Sequence, residues 1–165
     1  MNGFLQPTNG YPQPYEFIED LVTQLKTLAI LDTALADGDG NGGKENVYAH
    51  RLPVARPQGD GYVLVREVLP AGGRSTTTSG LQKITFQVST ESKEGVENPE
   101  HFHSAVHNRI ADYILSSWAP TPTKSDISVP VRRVIEPTSV RWDDKSRTFY
   151  SVADYVITLS PFIDP

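Results

Sequence analysis

Apolar positions recur with helical spacing from residue 15 onward. Phe17, Ile18, Leu21, Val22, Leu25, Leu28 and Ala29 fall on one broad face, which predicts an amphipathic helix. Glu16, Glu19 and Asp20 lie in its first turn, where carboxylates favour the positive end of the helix dipole. If the helix ran on to Ala36, Asp32 would point into the apolar face. Either the helix loosens near Leu31 or Asp32 finds a buried partner.

The period then changes from helical to extended. NVYAHRLPVA (46–55) and GYVLVREVLPA (61–71) read as strands separated by the turn RPQGDG. LQKITFQVSTES (81–92) alternates Leu81, Ile84, Phe86 and Val88 closely enough for a third. The polar loop between them, GGRSTTTSG (72–80), is long for a hairpin and suits a mobile contact segment. Asn98 then offers an N-cap and Pro99 a first helical residue. The helix that follows carries an apolar face of Phe102, Ala105, Val106, Ile110, Tyr113 and Ile114, and stops at APTP after Trp118. The last third reads as a hairpin whose second strand alternates Phe149, Ala153, Tyr155, Ile157 and Leu159.

The predicted order is therefore α-β-β-β-α-β-β. It defines an α+β domain over residues 15–165, a mainly antiparallel sheet with two helices packed on one face. Residues 1–14 are rich in Pro, Gly, Asn and Gln and form an extended arm without a core of its own. Phe4, Leu5 and Tyr11 on that arm are candidate contacts for a neighbouring chain.

Composition narrows the function classes. The chain has 165 residues and a formal net charge of −5, which argues against nucleic-acid binding through a general basic surface. It has no cysteine, so disulfides and thiolate metal sites are excluded. No apolar run reaches membrane-spanning length, and MNGFLQPTNGYPQPY lacks the basic start and apolar core of a signal peptide. A soluble protein made in a cytoplasm, with no membrane partner, is expected.

The stretch ADGDGNGGKENVY (36–48) invites two chemical readings. From Asp37 it begins like a calcium loop, with Asp37, Asp39 and Asn41 as ligand candidates. Yet the twelfth position, where a bidentate carboxylate is needed, is Tyr48, and the eighth is Lys44. From Gly38 it spells the start of a phosphate-binding loop, but Glu45 replaces the magnesium-holding Ser or Thr. A glycine-rich exit from a helix accounts for the same residues.

His103 and His107 stand at i and i+4 and are the strongest metal candidates, although both flank the apolar stripe, where histidines pack and hydrogen-bond at a boundary. His101 lies on nearly the opposite side of the helix. No glutamate follows His103 as a metalloprotease requires, and no serine sits in a nucleophile elbow. No catalytic constellation and no cofactor emerges. Arg132, Arg133 and Arg141 flank the final hairpin, with Arg132 and Arg133 sent to opposite faces. They either protect an exposed edge or pair with acidic residues of another copy, and Arg74 in the polar loop is a further interface candidate.

The strand ITFQVSTES running into PEHFHSAVHNRIADYILSSW, and the closing VRRVIEPTSVRWDDKSRTFYSVADYVITL, together resemble the tail-terminator proteins of long-tailed bacteriophages, also called tail-completion or tail-to-head joining proteins. The likeness covers residues 15 to 160 in layout; the arm and the Gly/Asp loop depart from it. It implies a virion structural protein without catalytic function. Such subunits form a ring, usually six-fold, on the last tail-tube ring and offer a surface to the head-completion or neck protein, while DNA passes through the lumen without sequence-specific binding. The arm and the 72–80 loop would then order against a neighbour. A head-closure or neck connector protein is the alternative within that class, and a metal-binding enzyme using His103 and His107 is the alternative outside it.

Overall fold

The computed structural model describes residues 14–55, 57–68, 75–76, 82–118 and 131–159. The fold is α+β, as the periodicities predict, with a mostly antiparallel sheet and helices on one face. Among the described residues it has three α-helices, not two. Helix α1 (Pro14–Leu25) buries Phe17, Ile18, Leu21, Val22 and Leu25, and then breaks. At the break the Thr27 hydroxyl donates to the Gln24 carbonyl at 2.6 Å, and the Thr27 and Leu28 amides turn to the carbonyls three residues back, Gln24 and Leu25, each at 3.0 Å. Leu28 goes extended, and α2 (Ala29–Leu35) starts in a new direction. Leu31 and Leu35 are thereby buried, while Ala29, expected inside, is exposed. Asp32 also turns outward, and its carboxylate accepts the Lys44 amide at 2.8 Å.

A short 3-10 turn (Gly43–Asn46) leads into β1 (Val47–Ala49). This strand is far shorter than predicted, because His50 adopts a left-handed φ of 68°. It also pairs parallel to β2 (Gly61–Val68) instead of folding back as a hairpin. β3 (Ser75–Thr76) falls inside the segment expected to be only a loop, and pairs with the start of β4 (Gln82–Lys93). Helix α3 (Pro99–Ser116) is followed by β5 (Val131–Ile135), β6 (Arg141–Asp143) and β7 (Thr148–Leu159). The first strand of the predicted hairpin is thus split in two, and both pieces lie along the same edge of β7. The sheet order is β1-β2-β4-β7-β5, with β3 beside β4 and β6 beside β7.

The cap of α3 forms as predicted, with the Asn98 side chain accepting the His101 amide at 3.2 Å. Its buried face is rotated from the prediction. His103, Val106, His107, Ile110, Ala111 and Ile114 are inside, Ala105 is exposed, and Phe102 and Tyr113 are only partly buried. The histidines therefore belong to the core and not to its boundary. Counting them as polar places the stripe about one position off, and polar groups with partners enter cores freely.

Strand alternation sorts the sheet into two faces. Towards the helices point Val63 and Val65 of β2, Ile84, Phe86 and Val88 of β4, and Ala153, Tyr155 and Ile157 of β7, all buried. Phe86 stacks on Tyr155 with centroids 5.3 Å apart, and Trp118 meets Phe86 edge-on at 6.1 Å. Trp118 also donates its ring N–H to Asp20 at 2.9 Å, which ties the end of α3 to α1. The other face carries Leu64, Arg66, Gln87, Ser89, Val152 and Asp154, and no described element covers it.

One buried polar residue organises the start of the sheet. Asn46 Nδ2 donates to the carbonyls of Gln58 and Gly61, and its Oδ1 accepts the Tyr48 hydroxyl at 3.1 Å. Gly59, at φ 99°, has no room for a Cβ beside the Leu35 and Asn41 carbonyls. Replacing Asn46 with Ala strands those buried carbonyls and should cost about 2–3 kcal/mol in urea unfolding. Phe86→Ala should cost about 3–5 kcal/mol as a large core cavity. An Asn46→Ala protein as stable as the wild type would contradict this role for Asn46.

Candidate functional site

Alternation along β4 continues the row Ile84, Phe86, Val88 into Thr90 and Ser92, two hydroxyls on the helix-facing side. Helical spacing places His103 and His107 above them. Thr90 Oγ1 lies 2.6 Å from His103 Nδ1 and 3.0 Å from His107 Nε2, and Ser92 Oγ lies 2.9 Å from His103 Nε2. His103 is 1% exposed and His107 is fully buried. With one proton on each hydroxyl and each neutral imidazole, a consistent chain runs in one direction. Ser92 donates to His103 Nε2, His103 Nδ1–H donates to Thr90, and Thr90 donates to His107 Nε2, with the Ser151 carbonyl at 3.4 Å as the second acceptor within reach of the Thr90 proton. The remaining His107 nitrogen, Nδ1, is buried and has no partner within hydrogen-bond geometry.

Burial pushes both imidazoles from an ordinary 6.5 down to about 4. For His103 the proximity of His107 adds to the effect. For His107 the Ser151 backbone works in the opposite direction and the Arg133 charge in the same one. Both rings are thus neutral hydrogen-bonding groups near pH 7.

The metal reading of this pair meets a geometric obstacle. The nitrogens that would converge on one ion converge on the Thr90 hydroxyl. Among the described residues, no group of three or more His, Cys, Asp or Glu side chains is placed to hold a metal. His101 is exposed on the outer side of α3.

The Gly/Asp loop is an Asx turn closing the exit of α2. Asp37 Oδ1 accepts the amides of Asp39 and Asn41, each at 2.9 Å, and these bonds to Asn41 and Asp39 hold its carboxyl below the usual range. Asn41 turns Nδ2, its donor, toward Asp37 at 3.1 Å, the wrong end of the amide for a cation ligand. Gly43 at φ 77° has no room for a Cβ beside Asp32, and the Lys44 amide that follows is already given to the Asp32 carboxylate.

The arginines separate as alternation predicts. Arg132 pairs across from Val156 and points to the uncovered face, while Arg133 pairs across from Tyr155 on the helix side and is bridged to Glu136 at 2.6 Å. Arg141 stands across from Tyr150, on the same uncovered face as Arg132. There a ladder crosses three strands, with Arg66 donating to Gln87 at 3.0 Å and Gln87 to Asp154 at 3.1 Å. Beside it Tyr62 and Thr148 both bond Glu91. The strip formed by β5 and β6 exposes Val134 at 42%, Ile135 at 48% and Trp142 at 37%. Phe4, Leu5, Tyr11 and Arg74 lie outside the described residues.

Sequence reasoning missed Thr90 and Ser92 as the partners of the histidines. The signal was available, since both continue a period of two from the apolar row of β4. It also missed the apolar exposure of β5, which the two arginines mask in the sequence.

No protein-family model matches the chain, and no curated protein matches it.

Thr90→Val removes the hydroxyl shared by two buried rings while keeping the side-chain shape. It should destabilise the protein by about 2–3 kcal/mol at pH 7, with Thr90→Ser closer to wild type. Equal urea midpoints for Val and wild type would show that the hydroxyl is dispensable.

Proposed function

We propose that this protein is a structural assembly subunit with no catalytic role, and that it forms a closed ring in a phage virion. In that reading the ring, six-fold as the tail-terminator resemblance implies, caps the tail tube and meets a head-completion or neck protein. The observation that supports it is the contrast between the two ends of one sheet. At one end is β1, three residues long and running parallel to its neighbour. At the other is the β5–β6 strip, with Val134, Ile135 and Trp142 exposed. Unlike edges joined head to tail give a heterologous contact, which closes into a ring where the rotation between neighbouring subunits allows it. A strip of exposed β-branched and aromatic residues is the usual core of such a contact, and the surrounding arginines suit its polar rim.

The uncovered sheet face supports the same reading. Antiparallel sheets commonly keep one face towards solvent, and in a ring the face that no described element covers can line a lumen or a partner surface. The net charge of −5 suits a passage for DNA that does not retain it. Among the described residues no helix is long and apolar enough to cross a membrane.

Light scattering and negative-stain microscopy of the purified full chain test the proposal. Rings with a central hole are expected. The double variant Val134→Asp, Ile135→Asp should remain folded by circular dichroism and lose them. A wild-type chain that stays monomeric at high concentration and in the presence of tail-tube rings would overturn the reading.

A further inference from the structure

The two halves of α3 rest on different chemistry. Ile110, Ala111 and Ile114 in the second half, with Trp118 just beyond, are buried against an apolar surface, and Trp118 is bonded to Asp20 of α1. The first half rests on Thr90, Ser92 and Ser151, three buried hydroxyl residues at one end of the sheet. It is held there by His103 and His107, with Val106 and the partly buried Phe102 supplying the apolar contact.

The layer suits neutral rings, because His103 is 1% exposed, His107 is fully buried, and the surrounding hydroxyls bring no negative charge. A proton added to His103 Nε2 or His107 Nε2 turns Ser92 or Thr90 from donor to acceptor and leaves a buried imidazolium without a counter-charge. Among the described residues around the pair, none offsets the new charge. On β4, Glu91 and Lys93 alternate to the far side of the sheet, and on β7 the facing residues are Ser151, Ala153 and Tyr155. On β2 the facing residues are Gly61 and Val63. On β5 the facing charge is Arg133, which repels an imidazolium and is engaged by Glu136. The charged residues of α3 near the pair, Glu100, Arg109 and Asp112, are exposed, as is His101.

We infer that the first half of α3 is an acid-released element: protonation of the buried histidine pair lifts residues 99–107 from the sheet while residues 110–118 stay docked. The direction follows from the ionisation of the two rings. Both fall from 6.5 to about 4 in the folded protein, so the docked state is fully favoured above pH 6.5 and loses ground as pH falls towards 4. Between those limits each added proton weakens docking about tenfold per pH step, so one histidine alone supplies on the order of 10²-fold between pH 7 and 4.5. The inference concerns the fold of one subunit and stands or falls independently of ring assembly.

Hydrogen exchange read by mass spectrometry on the full chain at pH 7.0 and 4.5, corrected for intrinsic rates, tests it. Protection of amides in 101–107 should fall on the order of 10²-fold, with 110–116 little changed. In His103→Gln, His107→Gln, whose amides can donate and accept but not titrate, the pH dependence should vanish. If that variant does not fold, ring-proton titration of the wild type decides, both imidazoles being expected below pH 5. Simultaneous loss of protection in both halves, no loss in either, or an imidazole titrating above pH 6 would overturn the inference.

Discussion

Twelve consecutive residue pairs join β4 to β7, from Gln82 with Leu159 to Lys93 with Thr148, and every other feature takes its position from that register. A slip of β4 by one residue against β7 would turn β4 over. It would send Phe86 to the uncovered side, away from Tyr155, and bring Gln87 under the helices. Because each helix-facing apolar residue of β4 sits across from an apolar residue of β7, the register is strongly specified. Thr90 and Ser151 face each other in the same way, so the polar layer under α3 is as much a product of register as the core is. The sheet thus offers its helices an apolar floor at one end and a hydroxyl floor at the other.

That gradient gives α3 its unusual composition. A helix that must cover both floors needs Ile110 and Ile114 over one and hydrogen-bonding side chains over the other. Histidine fits the second task because one neutral ring can both accept and donate, so a single hydroxyl can serve two rings. The opposite face of the sheet has no such cover among the described residues. Its ladders from Arg66 through Gln87 to Asp154 satisfy polar groups within the sheet and leave a surface of mixed character. A sheet with one finished face and one open edge is suited to joining copies, which is why geometry more than reactivity dominates the proposed role.

Much of the fold was legible because long periodic segments dominate it. β4 and β7 carry apolar residues at two-residue spacing, and the Asn98–Pro99 cap marks the start of α3, whose extent was legible although its buried face was not. The misses share a cause, namely that short-range pattern does not encode long-range partners. The break at Thr27 and Leu28 redirects the chain so that Leu31 and Leu35 are buried, a tertiary demand that a helical wheel does not show. β1 ends early because His50 takes a left-handed conformation. The histidines were legible as a pair but not as core, since their partners lie thirteen and seventeen positions away along the chain. The last hairpin's first strand divides into β5 and β6 around Pro137, which has no amide for the ladder, and a register shift between Arg133 and Ile135 precedes the gap.

The proposed assembly role depends most on where copies of the chain would meet. Hydrogen exchange of the full chain, compared between dilute and concentrated solution, reads that location without any substitution. Added protection at 131–135 and 141–143, on the free strip beside β7, is the predicted result. Protection gained instead on the outer surface of the helices, or nowhere, would contradict it.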